Sequence, residues 1–419
     1  MTAALVEVVA AEVDVLHHRL EYPLVLSSGV VTTLPEVTVR LTVSDGRSTA
    51  EGFGAVNLSD AWAWPGDEPT SAAKQQEMID YCRLIGDSIL ARTAGRAHPL
   101  ELGTRVHDSV LADVEHPAPT LARTVCGSAF DAAIHDATGR LAGVSAFALY
   151  EQDVEIPSLD GHFEDGAVAA IREVLRPPAS RVPGWWLVAP GDDLDRTAGQ
   201  VERTGMTRFK LKLSGADPAA DARRVADIIT AASTWVAEPV LSIDPNEGSA
   251  SSRTVLEFLD ALGSHVEDAL SYLVYLEQPT SRTRLAVDDW SEVSRRVPVL
   301  VDEALTSMDD LHTARERGWS GVAVKTCKGH SLALAAAAWA VRHQMSVSVQ
   351  DLTNIGRSAI HSYLLAAHLP TINGVEINSP QYLPRSNDPW LPRLAGLFDP
   401  RDGFHRLDLT GLVGLGAQL

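Results

Sequence analysis

The chain has 419 residues, 45% of them apolar, and its 35 basic against 55 acidic side chains leave a formal charge of −20. That length holds two domains, or one barrel with an accessory domain, and the apolar share fills a large core. The acidic balance excludes nucleic acid and anionic membrane as partners, because both need a basic face; a small anionic substrate held by a local cation cluster or a metal stays open.

From Val6 to about Val56 the sequence reads as strands, with Val, Thr and Leu crowding Leu34 to Val43 and Ser44-Asp45-Gly46 as a hairpin turn. Leu26-Ser27-Ser28-Gly29-Val30 is a loop of small residues. Helical spacing of apolar residues follows over Ser71 to Arg92 and over Pro119 to Gly139, so an α+β unit fills the first 130 residues or so. Cys82, Cys126 and Cys327 are odd in number and far apart, without zinc or redox spacing, which fits free buried thiols in a reducing compartment. No basic leader is present and no apolar run approaches about 18 residues, so a soluble, cytoplasmic protein is the expectation. Glu151 to Val182, with Pro177-Pro178 and scattered glycines, reads as a connector or an insertion.

From Trp185 onward a short apolar strand, a polar turn and a helix repeat. The strands are expected at Trp185–Ala189, Phe209–Leu213, Val240–Asp244, Leu273–Glu277, Val299–Asp302, Gly321–Lys325, Ser346–Gln350 and Gly374–Ile377. Ionisable residues close them at a regular step: 32 from Lys212 to Asp244, 33 to Glu277, 25 to Asp302, 23 to Lys325 and 26 to Asp351. One βα unit has about that length, and eight make a (β/α)8 barrel. An open doubly wound sheet would normally show a glycine fingerprint after its first strand, and none is present.

Charges at strand ends rather than strand middles collect at one mouth of such a barrel. Lys210 and Lys212 share a strand face, and crowding two like charges favours loss of one proton, which makes a base near neutral pH. Asp244, Glu277 and Asp302 offer three oxygen ligands from adjacent strands, a set suited to Mg²⁺ or Mn²⁺ and not to zinc. Singly, each has a plainer meaning: Asp244 in a helix-entry turn, Glu277 at a strand end, Asp302-Glu303 as a helix cap. In register on consecutive units they converge. Lys325 faces Lys212 across the mouth, and two bases on opposite sides of one carbon are what a 1,1-proton transfer needs. Trp62, Trp64, Trp185 and Trp186 read as core packing more than as pocket lining.

The order K-x-K, D-x-N, E-Q-P, D-E and K on successive strands resembles the enolase superfamily. A lysine closing the sixth strand, in place of a histidine on the seventh, resembles its muconate lactonizing enzyme subgroup more than its mandelate racemase subgroup. The segment Ser128 to Asp136 resembles the helix leading into the family's barrel. The resemblance implies an α/β fold, a modified (β/α)8 TIM-type barrel over residues 131–399 with an N-terminal α+β capping domain over 1–130. A glycine-rich tail, about 400–419, would pack back on the cap. It implies Asp244, Glu277 and Asp302 as ligands of Mg²⁺ (or Mn²⁺), Lys212 and Lys325 as the acid/base pair, and Lys210 as their electrostatic partner. Asn246 would stand beside the metal, Glu303 behind it, and cap loops at Ser27–Val31 and Phe53–Asn57 would close over the substrate. The turn Lys325-Thr326-Cys327-Lys328-Gly329-His330 departs from the family's pattern and makes Lys328 a rival second base, although its offset points it into the loop. Asp351 stands where the mandelate racemase pattern has histidine, and Glu376 either touches substrate or holds a lysine.

The expected activity is abstraction of the α-proton of a small carboxylate substrate to an enolate. Racemisation or epimerisation fits two lysines best; dehydration or cycloisomerisation of a sugar acid or related carboxylate is the alternative. A non-catalytic barrel ranks below both. A homo-oligomer, dimer or octamer, is expected by the same resemblance.

Overall fold

The computed structural model describes residues 5–26, 29–151, 159, 163 and 166–416. Strands β1 (Glu7–Leu26), β2 (Gly29–Ser44) and β3 (Thr49–Asn57) form an antiparallel sheet in that order. Period-two alternation makes it: Val37, Val39, Leu41 and Val43 all turn to one face and are fully buried. The β2–β3 turn is tied by the Asp45 carboxylate, which accepts from the backbone N–H groups of Arg47 and Ser48 at 2.8 and 2.7 Å, with Gly46 at φ +84°.

Four helices follow: α1 (Asp60–Ala63), α2 (Ser71–Arg92), α3 (Pro99–Ala112) and α4 (Thr120–Ala142). α4 is the hinge of the architecture. It lies on β3 so closely that a Cβ on Gly54 would stand 1.9 Å from the Ala129 carbonyl oxygen. The expected boundary at residue 130 falls inside this helix, which also packs against the turn following the barrel's sixth strand. Asp136 of α4 accepts from Phe53 N–H at 2.9 Å and from Leu415 N–H at 2.7 Å, so one carboxylate receives both the cap sheet and the glycine-rich tail.

The second layer is a parallel sheet with helices between its strands: α5 (Ala167–Val174), β4 (Arg181–Pro183), β5 (Trp186–Val188), α6 (Leu194–Thr204), β6 (Arg208–Lys212), α7 (Pro218–Trp235), β7 (Val240–Asp244), α8 (Ser252–His265), β8 (Leu273–Glu277), α9 (Ser291–Ser294), β9 (Val299–Val301), α10 (Met308–Glu316), β10 (Gly321–Lys325), α11 (His330–Arg342), β11 (Ser346–Gln350) and α12 (Gly356–His368). β5 to β11 pair in sequence order. The strand expected at Gly374–Ile377 is reduced to Val375, which bridges Gly184 on one side and Val349 on the other and so closes the ring. Gly374, at φ +87°, bends the chain there, and a side chain on it would stand 2.1 Å from the Pro183 carbonyl oxygen. The result is a closed α/β barrel of seven regular strands and one bridging position, with the antiparallel α+β unit above it. β4 pairs not with the barrel but with β12 (Phe404–Arg406).

Two expectations change on this frame. Phe53–Asn57 is not a loop over the mouth; it is the end of β3, pinned against α4, because Gly54 allows backbone contact. Ser27 and Ser28 lie outside the described residues, and Gly29 to Val31 begin β2. Of the expected connector, residues 152–158, 160–162 and 164–165 also lie outside them. The three cysteines are free and buried, and no described helix is long and apolar enough to cross a membrane.

Candidate active site

Parallel pairing brings the strand-closing residues to one rim. Lys212, Asp244, Glu277 and Lys325 are the last residues of β6, β7, β8 and β10; Asp302 follows β9 directly. Lys212 stands in register with Asp244, and Lys325 with Gln350, the last residue of β11. All are buried, the three carboxylates completely.

They form a web of alternating charge. The Lys210 ammonium reaches Glu277 at 3.0 Å, Asp244 and Glu376 at 3.1 Å and the Gln350 side-chain oxygen at 3.2 Å. Lys212 Nζ donates to Asp244 Oδ2. Lys325 Nζ lies 2.7 Å from Asp302 Oδ2 and 3.8 Å from Glu277 Oε1. Lys328 does not point away into the loop. The residues Thr326–Lys328 form a short 3₁₀ turn that folds its ammonium back to the Asp302 carbonyl and, at 3.0 Å, to Asp302 Oδ1. Both candidate second bases therefore grip the same carboxylate.

Electrostatics follow from this pairing. Burial works against the charge on Lys210, but Glu277, Glu376 and Asp244 outweigh it and hold the ammonium well above the usual lysine range. The crowding of Lys210 against Lys212 is thus offset by carboxylates, and Lys210 is not the residue that loses its proton. Burial likewise opposes charge on Lys325, and Asp302 and Glu277 overcome it, so its ammonium is favoured. Asp302 is held well below the carboxylate range, against burial, by Lys325 and Lys328. Glu277 goes the other way: burial and the neighbouring Asp244 push it up to about 8.

A second tier stands behind the web. Glu303, pushed up to about 7 by burial and by Asp302, accepts from the Trp62 indole at 2.9 Å and from the Asn246 amide at 3.2 Å. Trp62 lays its ring 4.7 Å from Lys325 Nζ and 5.6 Å from Lys328 Nζ. It is a wall of the site, while Trp185 packs against Tyr275 inside the barrel. Asp351 is placed as a loop clip: its carboxylate accepts from the backbone of Thr353, Asn354 and Asn378 at 3.1, 3.2 and 3.1 Å. Glu376 holds Lys210. Sequence reasoning missed Gln350, which donates to Glu277 at 2.6 Å, and Asn378, which donates to Glu376 at 3.1 Å. Gln350 closes its strand in the same register as the charges, so counting amides with ionisable groups would have found it.

The donor set fits a hard divalent cation. Asp244, Glu277 and Asp302 supply only oxygen, and Glu303 Oε2 is buried without a hydrogen-bond partner. Among the described residues no three such groups yet converge on one position. Lys210 lies between Asp244 and Glu277, and Lys325 between Glu277 and Asp302. Sharing a cation requires the ammoniums to give way.

The model of the enolase C-terminal domain-like family matches residues 193–419. A chloromuconate cycloisomerase of Cupriavidus necator is 25% identical over 255 residues, which span 59% of this chain and 64% of that protein's length. Two solved structures share the fold. A muconate lactonizing enzyme from Pseudomonas fluorescens, complexed with muconolactone, aligns at TM-score 0.67 and 18% identity, covering 98% of this chain and 96% of that one. An N-succinyl Arg/Lys racemase from Bacillus cereus ATCC 14579 aligns at 0.68 and 16%, covering 98% and 95%.

Proposed function

Because this chain belongs to the enolase C-terminal domain-like family, and within the enolase superfamily to its muconate lactonizing enzyme-like subgroup, we propose that it is an enzyme that removes the α-proton of a carboxylate substrate. The observation that carries this is the strand-end web itself: lysines on β6 and β10 flank three fully buried carboxylates at one barrel rim. Burying that many charges is costly for a protein that only needs to fold.

Asp244, Glu277 and Asp302 would hold Mg²⁺. When bound, the cation supplies a positive charge against the negative charge that develops on the substrate's carboxylate oxygens. Lys212 Nζ takes the proton while the C–H electron pair passes into the carboxylate. Lys210, held by Glu277 and Glu376, keeps its positive charge beside Lys212. Lys325, whose charge is supported by Asp302, Glu277 and the Trp62 ring, returns a proton from its own side. Lys328 keeps Asp302 in place when Lys325 moves. Racemisation or epimerisation uses both lysines. Cycloisomerisation, the activity in the name of the Cupriavidus relative, and dehydration use the same first step. Residues 1–130 would act as the cap and 131–399 as the catalytic barrel, with the tail from about 400 returning to the cap.

The test is deuterium wash-in at the α-carbon in D₂O with Mg²⁺ across a carboxylate panel. Lys212→Ala is expected to abolish exchange and leave Mg²⁺ affinity within a few fold. Exchange retained in that variant would sink the role of Lys212 as base.

A further inference from the structure

The cleft above the web combines charged groups with an apolar wall. Leu24 and Leu26 at the end of β1, Leu187 of β5 and Leu352 just past β11 line it together with Lys210, Lys212 and Lys325. Leu24 and Leu187 share one apolar cluster, with Leu26 packed against it. The contacts that dock the cap hairpin on the barrel therefore also make the wall.

Every charge that lines this cleft is already engaged. Lys210, Lys212 and Lys325 are bound to Asp244, Glu277, Asp302 and Glu376. Asp351 spends both oxygens on three backbone N–H groups, and it holds Thr353 at φ +57°, a strained value for a β-branched residue. Glu376 divides its oxygens between Lys210 and the Asn378 amide. Among the described residues no arginine or histidine lines the cleft. With the cation in place Lys212 and Lys325 face the reacting carbon and Lys210 keeps Glu376, so a second carboxylate at the distal end would find no spare counter-cation, and an ammonium no spare carboxylate. Either would lose its hydration against leucine side chains.

Among the described residues that line the cleft, one fully buried polar atom has no hydrogen-bond partner. Asn378 is 4% exposed and lines the cleft. Its Nδ2 must face the Glu376 carboxylate, which fixes the amide's orientation and leaves Oδ1 buried with no hydrogen-bond partner. That oxygen accepts a donor and nothing else.

We propose that the substrate is a monocarboxylic acid whose only charge is the carboxylate beside the reacting carbon, with an N–H donor for Asn378 Oδ1 and an uncharged, apolar distal group set against Leu24, Leu26, Leu187 and Leu352. This rests on the α-proton reading. The four leucines select against a second charge at the distal end, and Asn378 selects for the donor.

Three compounds of matched chain length test it: N-butanoyl-leucine, N-succinyl-leucine and N-(β-alanyl)-leucine, whose acyl chains end in a methyl, a carboxylate and an ammonium. Calorimetric titration into the Mg²⁺-loaded full chain is expected to rank the butanoyl compound tightest, by about tenfold or more over each charged partner. Succinyl or β-alanyl binding as tight as butanoyl overturns the proposal, and so does binding of none. Leu26→Arg, at a partly exposed position, is expected to move the preference toward the succinyl compound. Asn378→Ala is expected to cost the butanoyl amide about tenfold and to spare the ester that replaces its N–H by oxygen; equal losses overturn the role of Asn378. α-Proton exchange, followed separately on whichever compound binds, judges the α-proton reading. The predicted binding order without exchange would keep the leucine wall and discard the chemistry.

Discussion

Glu277 shows how a single side chain couples charge to occupancy. Fully buried and with Asp244 beside it, its carboxyl is pushed up to about 8, whereas ligation of a cation needs it ionised. Binding of Mg²⁺ near pH 7 should therefore release a proton, and affinity should rise by up to about tenfold per pH unit until about pH 8. Calorimetry in buffers of different ionisation enthalpy measures that release. Glu277→Gln should abolish it and weaken binding at least about tenfold; an unchanged proton count would remove Glu277 from the ligand set. At this scale the sequence was informative because a charge at a strand end leaves a mark in the spacing. It read Trp62 as core packing, because the contact that makes it a wall of the site joins residues 241 positions apart and depends on how the cap sits, and it was silent on Asn378, whose amide carries no charge to count.

Among the elements, the contact of β3 with α4 fixes the cap on the barrel. Gly54 allows it, and an added methyl would meet the Ala129 carbonyl and the Ala133 amide nitrogen, both helix backbone that cannot step aside. Gly54→Ala should destabilise the protein by about 3 kcal/mol. Gly199→Ala, in α6 with open space around it, should stabilise by about 0.5–1 kcal/mol. Urea midpoints decide, and a Gly54→Ala midpoint equal to the parent's would mean that the two elements are not in backbone contact. Periodicity made α2, α4 and the first seven barrel strands legible to within a few residues. α3 was missed, since its apolar positions crowd between two polar stretches, and the eighth strand was over-read, because Val375 and Ile377 alternate like a strand while Gly374 bends the chain out of one.

Across the whole molecule, histidines are buried where helices of cap and barrel meet. His98, His330, His361 and His368 are all depressed, chiefly by burial, His98 to about 4 and His361 to about 3; His405, near the β4–β12 pair, falls to about 4. The unfolded chain takes up these protons near pH 6.5, so the stability they provide is complete above 6.5 and is lost as pH falls toward 4. His98, His361 and His405 alone amount to roughly 4 kcal/mol per pH unit over that range. Glu277, Glu303 and Asp351, raised to about 8, 7 and 7, act in the opposite sense, because the folded protein holds their protons first as pH falls. In metal-free protein these carboxylates offset part of that loss between pH 6.5 and 4.5. With Mg²⁺ bound, Glu277 is committed to the ionised form and its share of the offset is lost. Thermal melts should therefore show the Mg²⁺-loaded protein losing more stability between pH 7 and 5.5 than the metal-free protein does; parallel curves would contradict the assignment of Glu277. The Asp136 carboxylate carries a different consequence, one of timing during synthesis. One of its oxygens waits for Leu415, 279 residues downstream, so a growing chain that has already emerged with its cap strands and α4 still lacks the clasp that locks them. The cap is assembled early and fastened late, and the barrel has to be threaded between those two events.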